Sequence, residues 1–439
     1  MKEHYYDKRV SAKLQVQIKK FSQRVTRGFK KPERKWVGEM LYGILKSKDV
    51  KLTHIGRALK EKTKMKHTEK RLSRNISGKD ISNELIDAYL LTGKRPVGDE
   101  TILSLDLSDI SKKEAKRMEN LCGVWNGSEG RNSKGYWLCT VVAKNLSAIS
   151  GSASGGEEEE VIPLYNELYS SLADEFKSES TQIFKAIDKL TKHFGNKGIW
   201  VMDRGGDSGR IIQKFLDSQK RFIIRLVAEG RHLETKEKKG YPIEMAEGMK
   251  LKYKGEFQRK EEQRTKVYKI RFGYKRVRLP RREEELTLVV VTGFGKEPLM
   301  LLANIEIKTK CEALRVIYSY ISRWVIEESF RFIKQSYNLE DIRLLRYKGL
   351  RNMAAMILLI YGFLSLNLLL SARLKFIIQY IYDKSKRLFG IADFPFYALA
   401  DGIFYLLSLY TKKFYLFDPQ KASARTFQLL LFNNLKMEV

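Results

Sequence analysis

Three carboxylates delivered by separate parts of the chain, with two cations and a tyrosine, carry the chemistry that this sequence offers. Asp106 follows the apolar run Thr101–Leu105 (TILSL), and Asp203 follows Gly198–Met202 (GIWVM) in the segment DRGGD. Glu327 lies within Tyr318–Asp341 (YSYISRWVIEESFRFIKQSYNLED). Carboxylates converging from different elements make an all-oxygen ligand set suited to hard divalent cations. Two magnesium ions about 3.5–4 Å apart can activate an attacking water or hydroxyl and stabilise the leaving oxygen of a phosphodiester. A short Asp at a strand end fixes an ion tightly, and a longer Glu can reach across from a helix. Arg323 would meet phosphate oxygens as a fork and Lys334 as a point charge, while Tyr320 could hydrogen-bond a phosphate or orient a neighbour.

Those side chains have to be positioned by elements. Read as one helix, Tyr318–Asp341 places Tyr320, Arg323, Glu327 and Lys334 at offsets that fall, at roughly 100° per residue, within an arc of about 60°. Ile321, Val325 and Phe332 flank that face on one side, and Ile326, Phe330 and Ile333 on the other. The same pattern also fits a surface helix with spaced charges. Glu328, beside Glu327, sits about 100° further round and away from Arg323 and Lys334.

The aspartates sit in an alternating pattern of strands and helices. Thr101–Leu105, Tyr136–Ala143 (YWLCTVVA), Gly198–Met202 and Arg221–Val227 (RFIIRLV) read as strands, and Pro163–His193 and Ser208–Ser218 as helices. This order predicts an α/β sheet covered by helices, with both aspartates at the carboxyl edge, where such sheets place their sites. Each aspartate taken alone also fits a turn or a helix cap. Asp109 is a rival to Asp106, but it falls beyond the expected strand, in an expected loop.

Composition limits the partners. The 439 residues suffice for two or three domains, and 43% hydrophobic and 11% aromatic content describes a folded chain. The net charge of +31 implies a polyanion, with nucleic acid first and an anionic membrane surface second. Three scattered cysteines and five histidines, none at metal-ligand spacing, exclude a disulfide scaffold and zinc chemistry and fit a reducing cytoplasm. The polar amino terminus, MKEHYYDKRV, does not read as a secretory signal. Met353–Leu370 is an 18-residue stretch without charge, the lower limit for a bilayer span. Its place just after the polar-striped helix favours a core helix, with no membrane as a partner, over a transmembrane one.

Half of the charge surplus lies in residues 1–80, with 24 Lys plus Arg against 8 Asp plus Glu. Residues 1–95 are expected to be a helical, basic DNA-binding region. It would hold short helices over Trp36–Leu45, Leu52–Leu59 (Thr53 near its N-cap) and Thr68–Ile76 in a helix-turn-helix-like arrangement. Arg57, Lys70, Arg71 and Arg74 are its candidate DNA contacts; a solvated charged bundle is the alternative. Residues 96–227 would be the first part of the catalytic domain, interrupted by an exposed Gly/Ser-rich acidic loop at Gly151–Glu160. Residues 228–300 read as a β-rich basic insertion lying along a nucleic-acid backbone. Residues 301–370 would complete the catalytic domain, and residues 371–439 form a helical tail.

The spacing Tyr320-x2-Arg323-x3-Glu327-x6-Lys334 resembles the Y-R-E-K signature of bacterial insertion-sequence DDE transposases. Asp203-Arg204-Gly205-x-Asp207 is similar to the segment around that family's second catalytic Asp, and Asp106 takes the place of the first. The resemblance spans about residues 101–365, including an insertion before the third acidic residue. It implies an RNase H-like fold and two magnesium ions, or manganese in their place, at Asp106, Asp203 and Glu327. It further implies phosphate contacts from Tyr320, Arg323 and Lys334, and cut-and-paste movement of double-stranded DNA by an enzyme at least dimeric when two ends are synapsed. The cytoplasm of a bacterial or archaeal host, at the nucleoid, is the expected location.

Overall fold

The computed structural model describes residues 2–92, 97–127, 129–145, 160–261, 264–387, 390, 394–410 and 413–417. The expected loop at Gly151–Glu160 lies outside them except for Glu160, as does the tail beyond residue 417. The chain divides into two compact units, one of Met1–Gly93, Ile110–Tyr136 and Arg331–Val439, the other of Lys94–Asp109 and Trp137–Phe330.

The first unit opens with helices α1 (Lys2–Val25), α2 (Lys31–Ser47), α3 (Leu52–Leu59), α4 (Met65–Gly78) and α5 (Ser82–Thr92). The three short helices expected in this region fall within α2, α3 and α4. Helices α3 and α4 are amphipathic and bury an apolar stripe, Ile55 and Leu59 in one and Leu72 and Ile76 in the other, whereas α2 is buried on all sides from Trp36 to Lys46.

The second unit holds most of a mixed sheet. Its strands are β1 (Ile102–Ser111), β2 (Cys122–Asn126), β3 (Arg131–Lys144) and β4 (Val161–Tyr169), then helix α6 (Glu179–Phe194). Next come β5 (Ile199–Met202), helix α7 (Gly209–Asp217) and β6 (Arg221–Arg225). The order β4-β3-β1-β5-β6, with β5 parallel to both β1 and β6, is an RNase H-like core. Strand β2 pairs with the first half of β3, and that hairpin belongs to the helical unit.

Beyond β6 the chain forms a small hairpin, β7 (Leu233–Glu234) with β8 (Lys239–Gly240), and helix α8 (Pro242–Glu247). It then adds β9 (Tyr253–Glu261), β10 (Arg264–Val277), β11 (Leu286–Thr292) and β12 (Leu299–Ala303). These four strands extend the core sheet from β6 in the order β12-β11-β10-β9, all antiparallel. The insertion is therefore β-rich and continues the core sheet.

One face of that sheet buries Ile199, Val201, Ile223, Phe272, Val289 and Leu301 against Ala313, Val316, Ile317, Tyr320 and Ile321 of helix α9 (Lys310–Ser322). Thr309 caps α9: its hydroxyl accepts the Glu312 N–H at 3.2 Å, while Glu312 accepts the Thr309 N–H at 2.9 Å. Helix α10 (Trp324–Ser336) follows after a single residue, Arg323. The single helix expected over Tyr318–Asp341 is thus two helices and a short 3-10 turn at Leu339–Asp341. The Ile326 N–H bonds back three residues to the Arg323 carbonyl at 2.9 Å, so the backbone tightens there without leaving the helical region.

Two expectations need correction. Residues 163–193 are not one helix, because Val161–Tyr169 is strand β4 and only α6 is helical. Pro163 argued against a strand, yet it sits where the β3–β4 register shifts between Val141 and Val142, and a bulge tolerates the missing N–H. Strand β1 also runs on to Ser111, so Asp106 is mid-strand and Asp109 lies in the strand, not in a loop.

The chain ends in α11 (Tyr347–Gly362), α12 (Lys375–Lys384) and α13 (Phe396–Ser408), which pack with α1–α5 in the first unit. In the apolar span Tyr347–Leu369, 89% of the most apolar 18-residue window is buried, so those side chains face protein, as a core helix requires. Asn352 in α11 saturates its amide there. It accepts the Ile81 N–H at 2.9 Å and donates to the carbonyls of Ile76 and Lys79, both at 2.7 Å.

Candidate active site

The first two carboxylates meet because β1 and β5 are parallel neighbours. Their register pairs Ser104 with Val201, and two more residues along each strand set Asp106 beside Asp203. Adjacent strands lie about 4.8 Å apart, so the two carboxylates repel each other at short range. Asp203 follows Met202 of β5 directly, and one of its oxygens accepts the Gly205 N–H at 2.8 Å. It therefore caps a short 3-10 turn, Arg204–Gly206, as well as facing Asp106.

That turn is built to hold Asp203. The Asp207 side chain is fully buried, accepts the Val227 N–H at 2.7 Å and pairs with Arg231. Gly206 packs so closely on β5 that a Cβ would come within 2.6 Å of the Met202 Cβ. Asp207 ties the segment to the chain just beyond β6, a positioning role that its type and spacing did not disclose.

The third carboxylate arrives from α10. Glu327 is half exposed, and its oxygen accepts from an Arg323 Nη at 2.7 Å. The other Arg323 Nη donates to Asp106 at 3.3 Å. The guanidinium, with its side chain only 6% exposed, thus bridges two of the three predicted acids. Tyr320 is buried, and its ring lies 5.7 Å below the Arg323 guanidinium. Lys334 pairs with Glu340 at 3.2 Å in the first unit, whereas Tyr320, Arg323 and Glu327 belong to the second.

Electrostatics agree with a clustered site. Burial, then the charge of Asp203, and to a smaller degree Glu327 push the Asp106 carboxyl up to about 7. Arg323 and the Leu107 N–H oppose that rise. Burial works against the Arg323 charge, but Tyr320, Asp106 and Glu327 outweigh it and raise its pKa. Among the described residues, no three His, Cys, Asp or Glu side chains stand close enough to hold an ion as placed. The guanidinium supplies positive charge between Asp106 and Glu327 instead. The chemistry of the donors, all carboxylate oxygen, fits a hard divalent cation.

Cationic surfaces lie in both units. In the first, Arg57, Lys70 and Arg74 are exposed, whereas Arg71 is held by Glu39 and by Glu61 at 3.1 Å. In the second, the outer face of the β9–β10 ribbon presents Lys254, Lys269 and Arg271 beside Glu256, while Tyr253, Phe257 and Phe272 pack inward. A cavity of about 440 Å³ beside α7 is lined by Arg231, His232, Lys239, Arg281 and Arg282, and no carboxylate lines it.

Residues 173–363 match the family model of the transposase DDE domain, a stretch that contains Asp203 and Glu327 and begins after Asp106. No curated protein matches the sequence. Among solved structures, the chain is similar to the piggyBac transposase in a synaptic complex with hairpin DNA. The identity is 9% and the TM-score 0.43, over 90% of this chain and 77% of that one. Residues 173–363 thus carry a transposase DDE domain, on a sheet with the RNase H-like strand order.

Proposed function

We propose that this chain cuts the ends of a mobile DNA element and joins them to target DNA by hydrolysis and strand transfer. The observation that carries the reading is the meeting of Asp106 and Asp203 on neighbouring parallel strands, with Glu327 joined to Asp106 through Arg323. Asp106, Asp203 and Glu327 would hold two magnesium ions, or manganese in their place. Bound there, the ions supply activation of the attacking oxygen and stabilisation of the leaving one.

The chain's own groups do the rest. Asp106, with its pKa pushed up to about 7, gives up its proton to become a ligand. Arg323 matches a phosphate with its planar fork, and Tyr320 steadies it from below. Lys334 adds a point charge toward the backbone. Arg57, Lys70 and Arg74 lie on the helical face assigned to duplex DNA, with Arg71 bracing that face through Glu39 and Glu61. The outer face of the β9–β10 ribbon is a second basic surface for a nucleic-acid backbone. Synapsis of two ends calls for a homodimer, at the nucleoid of a bacterial or archaeal cytoplasm.

The second reading is a catalytically silent DNA-binding protein derived from a transposase. EDTA separates the two. An active transposase loses cleavage of DNA bearing its element's ends on chelation and regains it with Mg2+, whereas a pure binder retains its DNA affinity and cleaves under neither condition. Retention by chelation of full cleavage would contradict the metal assignment.

A further inference from the structure

We propose that Arg323 is a latch on the metal site, holding Asp106 and Glu327 until a DNA phosphate takes over its guanidinium, so that DNA binding precedes metal binding. The inference rests on the assignment of Asp106, Asp203 and Glu327 as metal ligands. It concerns the order of events at that site, which the assignment leaves open.

The guanidinium is almost wholly buried and spans acids from two different elements, β1 and α10. A divalent ion entering between Asp106 and Glu327 meets a fixed positive charge a few ångströms away in a site of low polarisability, where like charges repel strongly. Entry therefore requires the guanidinium to withdraw. Withdrawal into an apolar wall is costly, because an unpaired buried charge loses both solvent and partner.

An anion that receives the fork removes that cost. A phosphodiester oxygen pair fits a guanidinium in two parallel hydrogen bonds. The present pairing leaves a donor over, since the buried Nε of Arg323 makes no hydrogen bond. A phosphate engaging Nε together with one Nη satisfies that donor, releases the acid held by that Nη and draws the guanidinium away from the other. Tyr320, packed into the α9 core, provides a ring for the guanidinium to pivot on without moving itself.

The test is a Mn2+ titration of the metal-stripped full chain, followed by the electron paramagnetic resonance signal of free Mn2+. Without DNA, Arg323→Gln should bind Mn2+ about tenfold or more tightly than the native protein, one decade being about 1.4 kcal/mol. Arg323→Lys should fall between them, since a point charge cannot span both acids. A short DNA duplex should tighten Mn2+ binding by the native protein and leave Arg323→Gln unchanged, a comparison whose native arm needs no variant to fold. Equal Mn2+ affinity of native protein and Arg323→Gln, with both folded by circular dichroism, would overturn the latch, as would a duplex that leaves native affinity unaltered. Asp203→Asn and Glu327→Gln distinguish the two levels of the reading. If neither weakens Mn2+ binding, the ligand assignment falls and the latch with it; if both do and Arg323→Gln has no effect, the latch alone falls.

Discussion

Asp106 is held in a setting that penalises its charge, and the penalty depends on pH. Its folded pKa lies near 7, above the ordinary value of about 4. The folded state therefore favours the protonated form. The associated stability is fully present below about pH 4 and is lost as pH rises through 7. Metal-free native protein should thus lose thermal stability across that window, on the order of a few kcal/mol from this group. Asp106→Asn should flatten the loss and melt higher than the native chain at pH 8; a parallel decline in both would contradict the clustering of the three acids. Arginines divide in a similar way: Arg71→Ala should lower the melting temperature more than DNA affinity, and Arg74→Ala the reverse, read by calorimetry and anisotropy on the same samples. The types and spacing of Asp203, Arg323 and Glu327 were legible from sequence because they ride on recognisable runs. The pairing of Arg323 with Asp106 was not, since it joins residues 217 apart in the chain.

At the scale of elements, the site depends on where α9 ends and how the DRGGD turn closes. Thr309→Ala removes one half of a reciprocal cap and should destabilise the domain by about 1 kcal/mol, measured by denaturant unfolding. Gly206→Ala forces a Cβ onto Met202 and should cost more, with cleavage falling alongside stability because Asp203 sits on the same turn. A variant with native stability would show that the turn has slack. The buried run of β5 was read from sequence with bounds within a residue or so, as a continuous apolar stretch allows. Strand β1 was cut short at Asp106, because the alternation of Leu105 and Leu107 with polar residues breaks at Asp109 and Ile110. Strand β4 was taken for the start of a helix, its alternation interrupted by the bulge opposite Val141 and Val142, and the helix break at Arg323 leaves no mark in a pattern that stays helical on both sides.

For the whole molecule, the first and last stretches of the chain belong together. Helices α1–α5 cluster with α11–α13 into one unit, a pairing that no local pattern announces because the partners lie hundreds of residues apart. Asn352 is a junction within it, and Asn352→Leu should destabilise that unit by roughly 2–4 kcal/mol by orphaning one N–H and two carbonyls. The +31 charge was legible at once, and it carries a prediction for the complete chain. DNA affinity should fall steeply and linearly in log–log form between about 50 and 200 mM salt, as counterion release requires. The most direct test of the central claim is cleavage, with Mg2+, of DNA carrying the sequences that border the gene. Native protein should cut it, and Asp203→Asn and Glu327→Gln should each abolish cutting while leaving DNA binding intact. Undiminished cleavage by both variants would contradict the carboxylate site.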